Sequence, residues 1–291
     1  MKIVLTGATG YIGGHIAEKL IQNGHEVYCI VRPTSDISKL PQGVQAITIG
    51  RNIELYETLA KVKPAIVVHV AGVFLGRHAK ETIEQMLQSN VVFSTILLDA
   101  ACEAGCQYFI NTSSYWQNYN LENYNPVNLY AATKQAFEDV IRYYILDDKI
   151  TVMDLQLFDV FGPKDPRKKV LNLVAALRDG DDMQMSPGEQ KLYMCYIEDV
   201  VMAYMHTLDV IVQKPVGVYE KWAVRAEKPY TLKEIVDKYL KIARKDVSLH
   251  WGGLDYRKRE IMNPEGIGKV LAGWKPQYTL EEGLKKYCEE G

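Results

Sequence analysis

The stretch Lys2-Ile3-Val4-Leu5-Thr6-Gly7-Ala8-Thr9-Gly10-Tyr11-Ile12-Gly13 decides the fold. An apolar, strand-like run, Lys2–Thr6, stops at a glycine and gives way to a helical pattern at about Tyr11–Asn23. Each glycine has a task. Gly7 permits a tight turn, Gly10 lets a pyrophosphate approach the backbone, and Gly13 lets helix and strand pack closely. The helix start then turns free N–H groups toward the phosphates. The turn reads as a cradle for a dinucleotide, with Gly7, Thr9, Gly10, Tyr11, Ile12 and Gly13 against it.

Strand-like runs continue at Val27–Val31, Gln45–Ile49, Ala65–Val70, Tyr108–Asn111 and Thr151–Leu157. Helix-like runs lie between them, at about Ile53–Lys61, Ser89–Ala104 and Leu129–Leu146. The strands are almost continuously apolar, as in a parallel sheet covered on both faces. Strand–helix alternation of this kind gives an α/β fold with a doubly wound parallel sheet and right-handed crossovers. The rhythm stops near Gly162-Pro163, where a charged loop, Lys164–Lys169, begins. The expected organisation is a dinucleotide-binding domain over residues 1–165, to which 195–222 returns. Residues 166–194 and 223–291 form a smaller substrate-binding cap.

The composition bounds the function. The chain has 291 residues, 47% hydrophobic and 24% charged, with a formal net charge of −2. That balance argues against nucleic acid as a partner, which wants a concentrated basic face. The longest apolar run, Ala65–Val73, contains His69 and is too short to span a bilayer. No secretory signal is visible at Met1-Lys2, so a cytoplasmic location is expected. The five cysteines, at 29, 102, 106, 195 and 288, match no disulfide framework and no metal set. Buried reduced thiols and no metal are expected.

The residue after the second strand selects the cofactor. Arg32 stands where an acid would bind the ribose 2′-hydroxyl of NAD. Arginine suits a 2′-phosphate and can stack on adenine, with Ser35 close enough to help. NADP is therefore expected, with NAD as the other possibility. Tyr130-Ala131-Ala132-Thr133-Lys134 opens a helix-like run and puts Tyr130 and Lys134 on one face. An ammonium beside a phenol favours the phenolate, so the pair is suited to proton exchange with a carbonyl oxygen as hydride moves. Thr112-Ser113-Ser114 falls at the carboxyl edge of the sheet, where ligands bind in this architecture. Ser114 is favoured to hydrogen-bond the reacting oxygen, with Ser113 as the second choice. Ser113 is also a substrate-binding candidate.

With these residues in place, the chain resembles the extended short-chain dehydrogenases/reductases, and more closely the nucleotide-sugar epimerase/dehydratase/reductase group. The resemblance runs from end to end. It takes in Gly7–Gly13, Ile66–Gly72, Asn90-Val91, Thr112–Ser114, Tyr130 with Lys134, Phe158–Pro163, Tyr196–Val200, Gly273–Pro276 and Glu282–Leu284. It implies a Rossmann domain, a sugar-binding cap and Ser114–Tyr130–Lys134 catalysis. It also implies that Lys134 and Ala71 touch the dinucleotide, and by analogy a homodimer formed through Ser89–Ala104 and Leu129–Leu146.

Several positions depart from the group. The loop from Ser114 to Tyr130 is short. Asp159 replaces an asparagine near the nucleotide phosphates, and Asn52 stands where an acid often faces adenine. Tyr115-Trp116 replaces the Asp-Glu pair that the dehydratases need. Two basic clusters, Lys164/Arg167/Lys168/Lys169 and Arg257/Lys258/Arg259, are candidates for a diphosphate contact, Arg257 foremost. Tyr115, Asp159, Arg167 and Arg257 are the further substrate-binding candidates. The resulting expectation is NADP-dependent reduction of a keto group on a nucleotide-linked 4-keto-6-deoxy sugar. A 4-epimerase retaining NAD is the alternative. A non-catalytic dinucleotide-binding sensor ranks third, because Tyr130 and Lys134 are both present.

Overall fold

The computed structural model describes residues 1–147 and 149–290. Seven parallel strands form the central sheet: β1 (Lys2–Thr6), β2 (Glu26–Val31), β3 (Gln45–Thr48), β4 (Ile66–His69), β5 (Tyr108–Ser114), β6 (Thr151–Leu157) and β7 (Tyr219–Val224). Their order is β7-β6-β5-β4-β1-β2-β3. The chain winds outward from β1 to β3, then restarts at β4 on the other side of β1. The crevice between β1 and β4 is the switch point at which such sheets bind ligands.

Period-two alternation within the buried strands explains the two covered faces. Ile3, Leu5, Ile66, Val68, Ile110, Met153 and Leu155 enter one core, together with Ile16 and Leu20 of α1 (Tyr11–Gln22). Val4, Val67, Phe109 and Val152 enter the other. There they meet Leu55 and Leu59 of α2 (Glu54–Val62), then, beyond a short α3 (Ile83–Leu87), Leu97 and Leu98 of α4 (Ser94–Glu103), and Phe137 and Ile141 of α5 (Leu129–Leu146). A residue and its successor thus serve opposite cores, which is why these strands read as continuously apolar.

The chain leaves the sheet after β6, makes a short strand at Asp159–Phe161 and builds a smaller cap from α6 (Val170–Ala176) onward. It returns through Met194–Tyr196, which pairs in parallel with Asp159–Phe161. Helix α7 (Ile197–Ile211) packs beside α1 and leads to β7. The cap then resumes with α8 (Leu232–Ala243) and ends with α9 (Leu280–Glu290). Asp182–Met185 pairs with Ser248–Trp251, joining the two cap segments.

Four features differ from the sequence expectation. Strand β5 runs three residues past Asn111, carrying Thr112–Ser114 inside the ladder opposite Leu155–Leu157. Tyr219–Val224 is a strand, although Tyr-Glu-Lys-Trp-Ala-Val has no apolar run. It is the sheet's edge and only half-buried over its first four residues, so polar side chains are tolerated. The helix expected at Ser89–Ala104 begins six residues earlier, at Ile83, and carries a π-helical stretch at Gln88–Phe93. The cysteines are unbridged. Cys29, Cys106 and Cys195 are buried and Cys102 half-buried, whereas Cys288 is exposed on α9, contrary to the buried reading. Among the described residues no helix is long and apolar enough to cross a membrane.

Gly7 has φ +81°, and a Cβ there would lie 2.7 Å from the Ala71 nitrogen. Gly13 is tighter still: its Cβ would lie 2.2 Å from the Gly7 carbonyl oxygen. Gly13→Ala is expected to cost about 3 kcal/mol or more, because backbone rather than a flexible side chain must move. Gly105→Ala, at φ +75° in open space, is expected to cost only about 1–2 kcal/mol from backbone strain. Thermal melting of the two variants checks this; equal losses would mean that the β1–α1 contact is not the tight one.

Candidate active site

A cleft of about 1410 Å³ opens at the carboxyl edge of the sheet, between the strand ends and the cap. Of the residues singled out from sequence, Gly7, Thr9, Gly10, Tyr11, Ile12, Gly13, Arg32, Ser35, Ala71, Ser113, Ser114, Tyr115, Tyr130, Lys134, Asp159, Arg167 and Arg257 line it, whereas Lys164, Lys258 and Arg259 of the two basic clusters do not. On the cap side, Met183–Ser186, Leu232, Ile235 and Leu254–Arg257 complete the wall.

The glycine turn suits an anion. Gly10 caps α1 without a side-chain hydrogen bond, and the first turn of α1 carries no acid, so its N–H groups stay available for phosphate. A Cβ on Gly10 would approach the Gly7 oxygen to 3.2 Å, filling the cradle. The residues present therefore fit a dinucleotide. Arg32 is exposed, and its side chain has no ion-pair or hydrogen-bond partner among the described residues. Its N–H donates to the Ser35 hydroxyl at 3.1 Å, which fixes the turn. The Asp36 carboxylate is occupied by the backbone N–H and the hydroxyl of Ser38, at 3.1 and 2.6 Å.

The Ser114–Tyr130–Lys134 group is built by β5 and α5. Asn128 caps α5 by accepting the Ala131 N–H at 3.0 Å, and its amide donates to the Gly76 carbonyl at 3.0 Å. Tyr130 follows in the first turn and Lys134 one turn later. Ser114 accepts the Trp116 N–H at 3.3 Å, so its own proton remains free to donate. Lys134 lies against Gly72, where a Cβ would come within 3.2 Å of Nζ. Asn90 lies there too, its Oδ1 3.3 Å from the same point. The π-helical stretch turns Asn90 inward, where its amide donates to the Val73 carbonyl and Thr133 hydroxyl, both at 3.0 Å. Its Oδ1 accepts the Val73 N–H at 2.7 Å. Only its place beside Val91 in the family resemblance pointed to Asn90.

Burial dominates the proton affinities. It pushes Tyr130 up to about 12, while the Ser114 hydroxyl and the Arg167 charge pull it down. The expected lowering by Lys134 does not figure among these causes. A tyrosine held neutral is a proton donor at rest, which suits reduction better than oxidation. Desolvation likewise pulls Lys134 down to about 8, opposed by the buried Asp154. His69, fully buried between the Thr6 and Ser94 hydroxyls at 2.7 and 2.8 Å, is held neutral by burial and by the Lys134 charge.

The substrate-side candidates are more committed than the sequence suggests. Arg167 grips Asp165 with two hydrogen bonds of 2.7 and 2.6 Å, donates to the Val160 carbonyl and lies over the Tyr11 ring. Lys169 of that cluster donates to the Val160 carbonyl at 3.0 Å and is drawn down to about 8 by desolvation and by Arg167, whereas Lys168, which also lines the cleft, has no side-chain partner among the described residues. Asp159 accepts the Tyr115 hydroxyl at 2.7 Å, and the Tyr115 ring stacks on Phe158 at 4.6 Å. Arg257 pairs with Glu260 and lies 4.6 Å over the Trp116 ring. Phe74 meets Tyr130 edge to face at 4.9 Å and Trp116 at 5.3 Å, a contact invisible in the sequence.

A family model described as the NAD dependent epimerase/dehydratase family matches residues 3–220. CDP-abequose synthase of Yersinia pseudotuberculosis is 30% identical over 270 residues, covering 91% of this chain and 92% of the relative. The enzyme of the same name from Salmonella muenchen is 26% identical over 98% of this chain and 96% of its own. Among solved structures, MoeE5 in complex with UDP-glucose and NAD superposes with a TM-score of 0.83 at 21% identity, covering 99% of this chain and 98% of its own. UDP-glucose 4-epimerase of Thermus thermophilus, solved with NAD, gives 0.81 at 20% identity over 100% and 98%.

The lysine offers a test free of turnover. Lys134 falls from 10.5 to about 8 on folding, so a penalty for burying its charge is fully present below pH 8. The unfolded chain holds that proton up to about 10.5, so the penalty fades as pH rises between the two values. Lys134→Met is expected to stabilise the dinucleotide-free protein by at most about 3 kcal/mol below pH 8, and by progressively less toward pH 10.5. Denaturant melts of both proteins across that range check the slope; a pH-independent difference would show that Lys134 titrates normally.

Proposed function

Because the chain belongs to the NAD dependent epimerase/dehydratase family, we propose that it reduces the keto group of a nucleotide-linked 4-keto-6-deoxy sugar at the expense of NADPH. It is an NAD(P)-dependent oxidoreductase of the extended short-chain dehydrogenase/reductase type. The observation that carries the proposal is the wall beside Ser114. Tyr115, Trp116, Phe74 and Phe158 line it, and two of the cleft's carboxylates are engaged, Asp159 by Tyr115 and Glu260 by Arg257. Elimination of water needs an acid and a base at the sugar, and these side chains supply neither. An aromatic wall also suits a deoxygenated sugar carbon, since a hydroxyl buried there would lose its hydrogen bonds. The CDP-abequose synthases support a cytidine diphosphate as the carrier.

The bound coenzyme supplies the hydride. Ser114 donates a hydrogen bond to the keto oxygen and Tyr130 delivers a proton to it as charge develops there. Lys134 would hold the coenzyme's ribose, and the Ser114 hydroxyl and the Arg167 charge, which lower the proton affinity of Tyr130, favour the phenolate left behind. The free Arg32 side chain beside Ser35 favours the 2′-phosphate of NADPH, and the diverted Asp36 leaves no acid there for the 2′-hydroxyl of NADH.

Three measurements test this. A CDP-linked 4-keto-6-deoxyhexose is expected to consume one NADPH per molecule and yield the alcohol, followed by absorbance of the reduced coenzyme. Interconversion of two 4-hydroxy sugars without net coenzyme use would instead make the protein an epimerase. Tyr130→Phe is expected to lower turnover about 10²–10⁴-fold with coenzyme affinity unchanged. Arg32→Ala should weaken NADPH binding by about 1.5–3 kcal/mol and leave NADH unaffected; a parent protein that binds both equally contradicts the assignment to NADP.

A further inference from the structure

Beneath the site lies a buried polar chain that the chemistry above does not use. Gln117 closes the single turn that follows Ser114 and is fully buried. Its Oε1 accepts the Ser114 N–H at 3.1 Å. Its Nε2 donates to Gln135 Oε1 and Glu138 Oε2 of α5, each at 2.9 Å. The same Glu138 oxygen accepts Lys221 of β7 at 2.6 Å. Lys221 lies 4.0 Å from Asp154 of β6, which accepts the Asn111 amide of β5 at 2.9 Å. Two buried carboxylates therefore share one nearby ammonium. Arg142, 3.8 Å from the other Glu138 oxygen, is largely exposed and adds little.

Such an arrangement is costly in a sheet that could have used apolar residues here. Its connectivity states what it does. Ser114 stands on β5, while Tyr130 and Lys134 stand on α5. Gln117 bridges the two, gripping the Ser114 backbone with one end and α5 with the other. We propose that Gln117, Glu138 and Lys221 are positioning residues that set the distance between the Ser114 and Tyr130 hydroxyls. Glu138 must be an acceptor for both Gln117 and Lys221, and Lys221 anchors α5 to the edge strand β7. The inference rests on the proposed Ser114–Tyr130–Lys134 chemistry for its kinetic consequence but not for its geometric one.

The experiment uses the full chain, NADPH and a CDP-linked 4-keto-6-deoxyhexose. Gln117→Leu and Glu138→Leu are expected to lower kcat about 10–10²-fold while KM and NADPH affinity stay unchanged, as a small misplacement of catalytic groups does. Glu138→Gln, whose carboxamide oxygen still accepts from both neighbours, should retain most of the parent's kcat. Crystal structures of the parent and of Gln117→Leu should show the Ser114–Tyr130 hydroxyl separation changed by about 0.5 Å or more. An unchanged separation, or parental kcat in a folded Gln117→Leu, overturns the proposal. So does a kcat that merely tracks melting temperature across all variants, Glu138→Gln included. A parent that turns over no such sugar, or a fully active Tyr130→Phe, refutes the proposed reaction instead, and the crystallographic comparison still decides the network.

Discussion

The contact on which the structure depends is the one between the Gly7 carbonyl and Gly13. No side chain separates strand from helix there, so α1 starts directly above the carboxyl end of β1. Its unpaired N–H groups are thereby aimed into the crevice between β1 and β4, where the winding of the sheet reverses. Gly7 adds a second close approach, to Ala71 beyond β4, which draws the two strand ends together. Any Cβ at either place would open this seam and move the anion site away from the groups that stand on β5 and α5.

Polar groups inside the molecule follow a common rule: each is satisfied by something that also fixes a neighbouring element. His69 ties β1, β4 and α4 through two hydroxyls. Thr112 binds the His69 carbonyl and the Tyr204 hydroxyl of α7, joining β5 to β4 and to α7. Asn90 holds the loop after β4 against α5. The exceptions are informative, since unpaired buried groups carry a desolvation cost. Ser113 Oγ, the Tyr11 hydroxyl and Gln190 Oε1 have no partner among the described residues and belong to residues that border the cleft, whereas the equally unpaired Asn111 Oδ1, Arg225 Nε and Nη1 and Trp274 Nε1 do not.

The legible parts of this structure were those with a period. Strands buried on both faces wrote themselves as apolar runs, and the glycine turn fixed both their register with α1 and the place of the site. Edge strand β7 was not legible because Glu220 and Lys221 break the run, and that exposure is what permits them. The π-helical stretch has no signature in side-chain spacing, so the inward turn of Asn90 was hidden. Sequence proximity also misled in one respect. Arg167 looked available for a phosphate, yet its partner Asp165 stands two residues away and holds it. Gln117 passed unnoticed because its importance comes from partners 18 and 21 residues distant, which only packing brings together.

The cap leaves the sheet after β6, returns for α7 and β7, and departs again, so the walls of the cleft are made at very different times. The glycine turn, Arg32, Ser114, Tyr130 and Lys134 all lie within the first 134 residues, whereas Met183–Ser186 and Leu254–Arg257 come much later. Arg259 must find Asn125 and Pro126 across 134 and 133 residues. During synthesis from the N-terminus, the strand-end side of the cleft emerges first and stands open to water. The opposite wall closes over it only when the last quarter of the chain arrives, together with the edge strand β7. A nascent chain of this protein thus carries the glycine turn and the Ser114, Tyr130 and Lys134 side chains before the far wall that will face them exists.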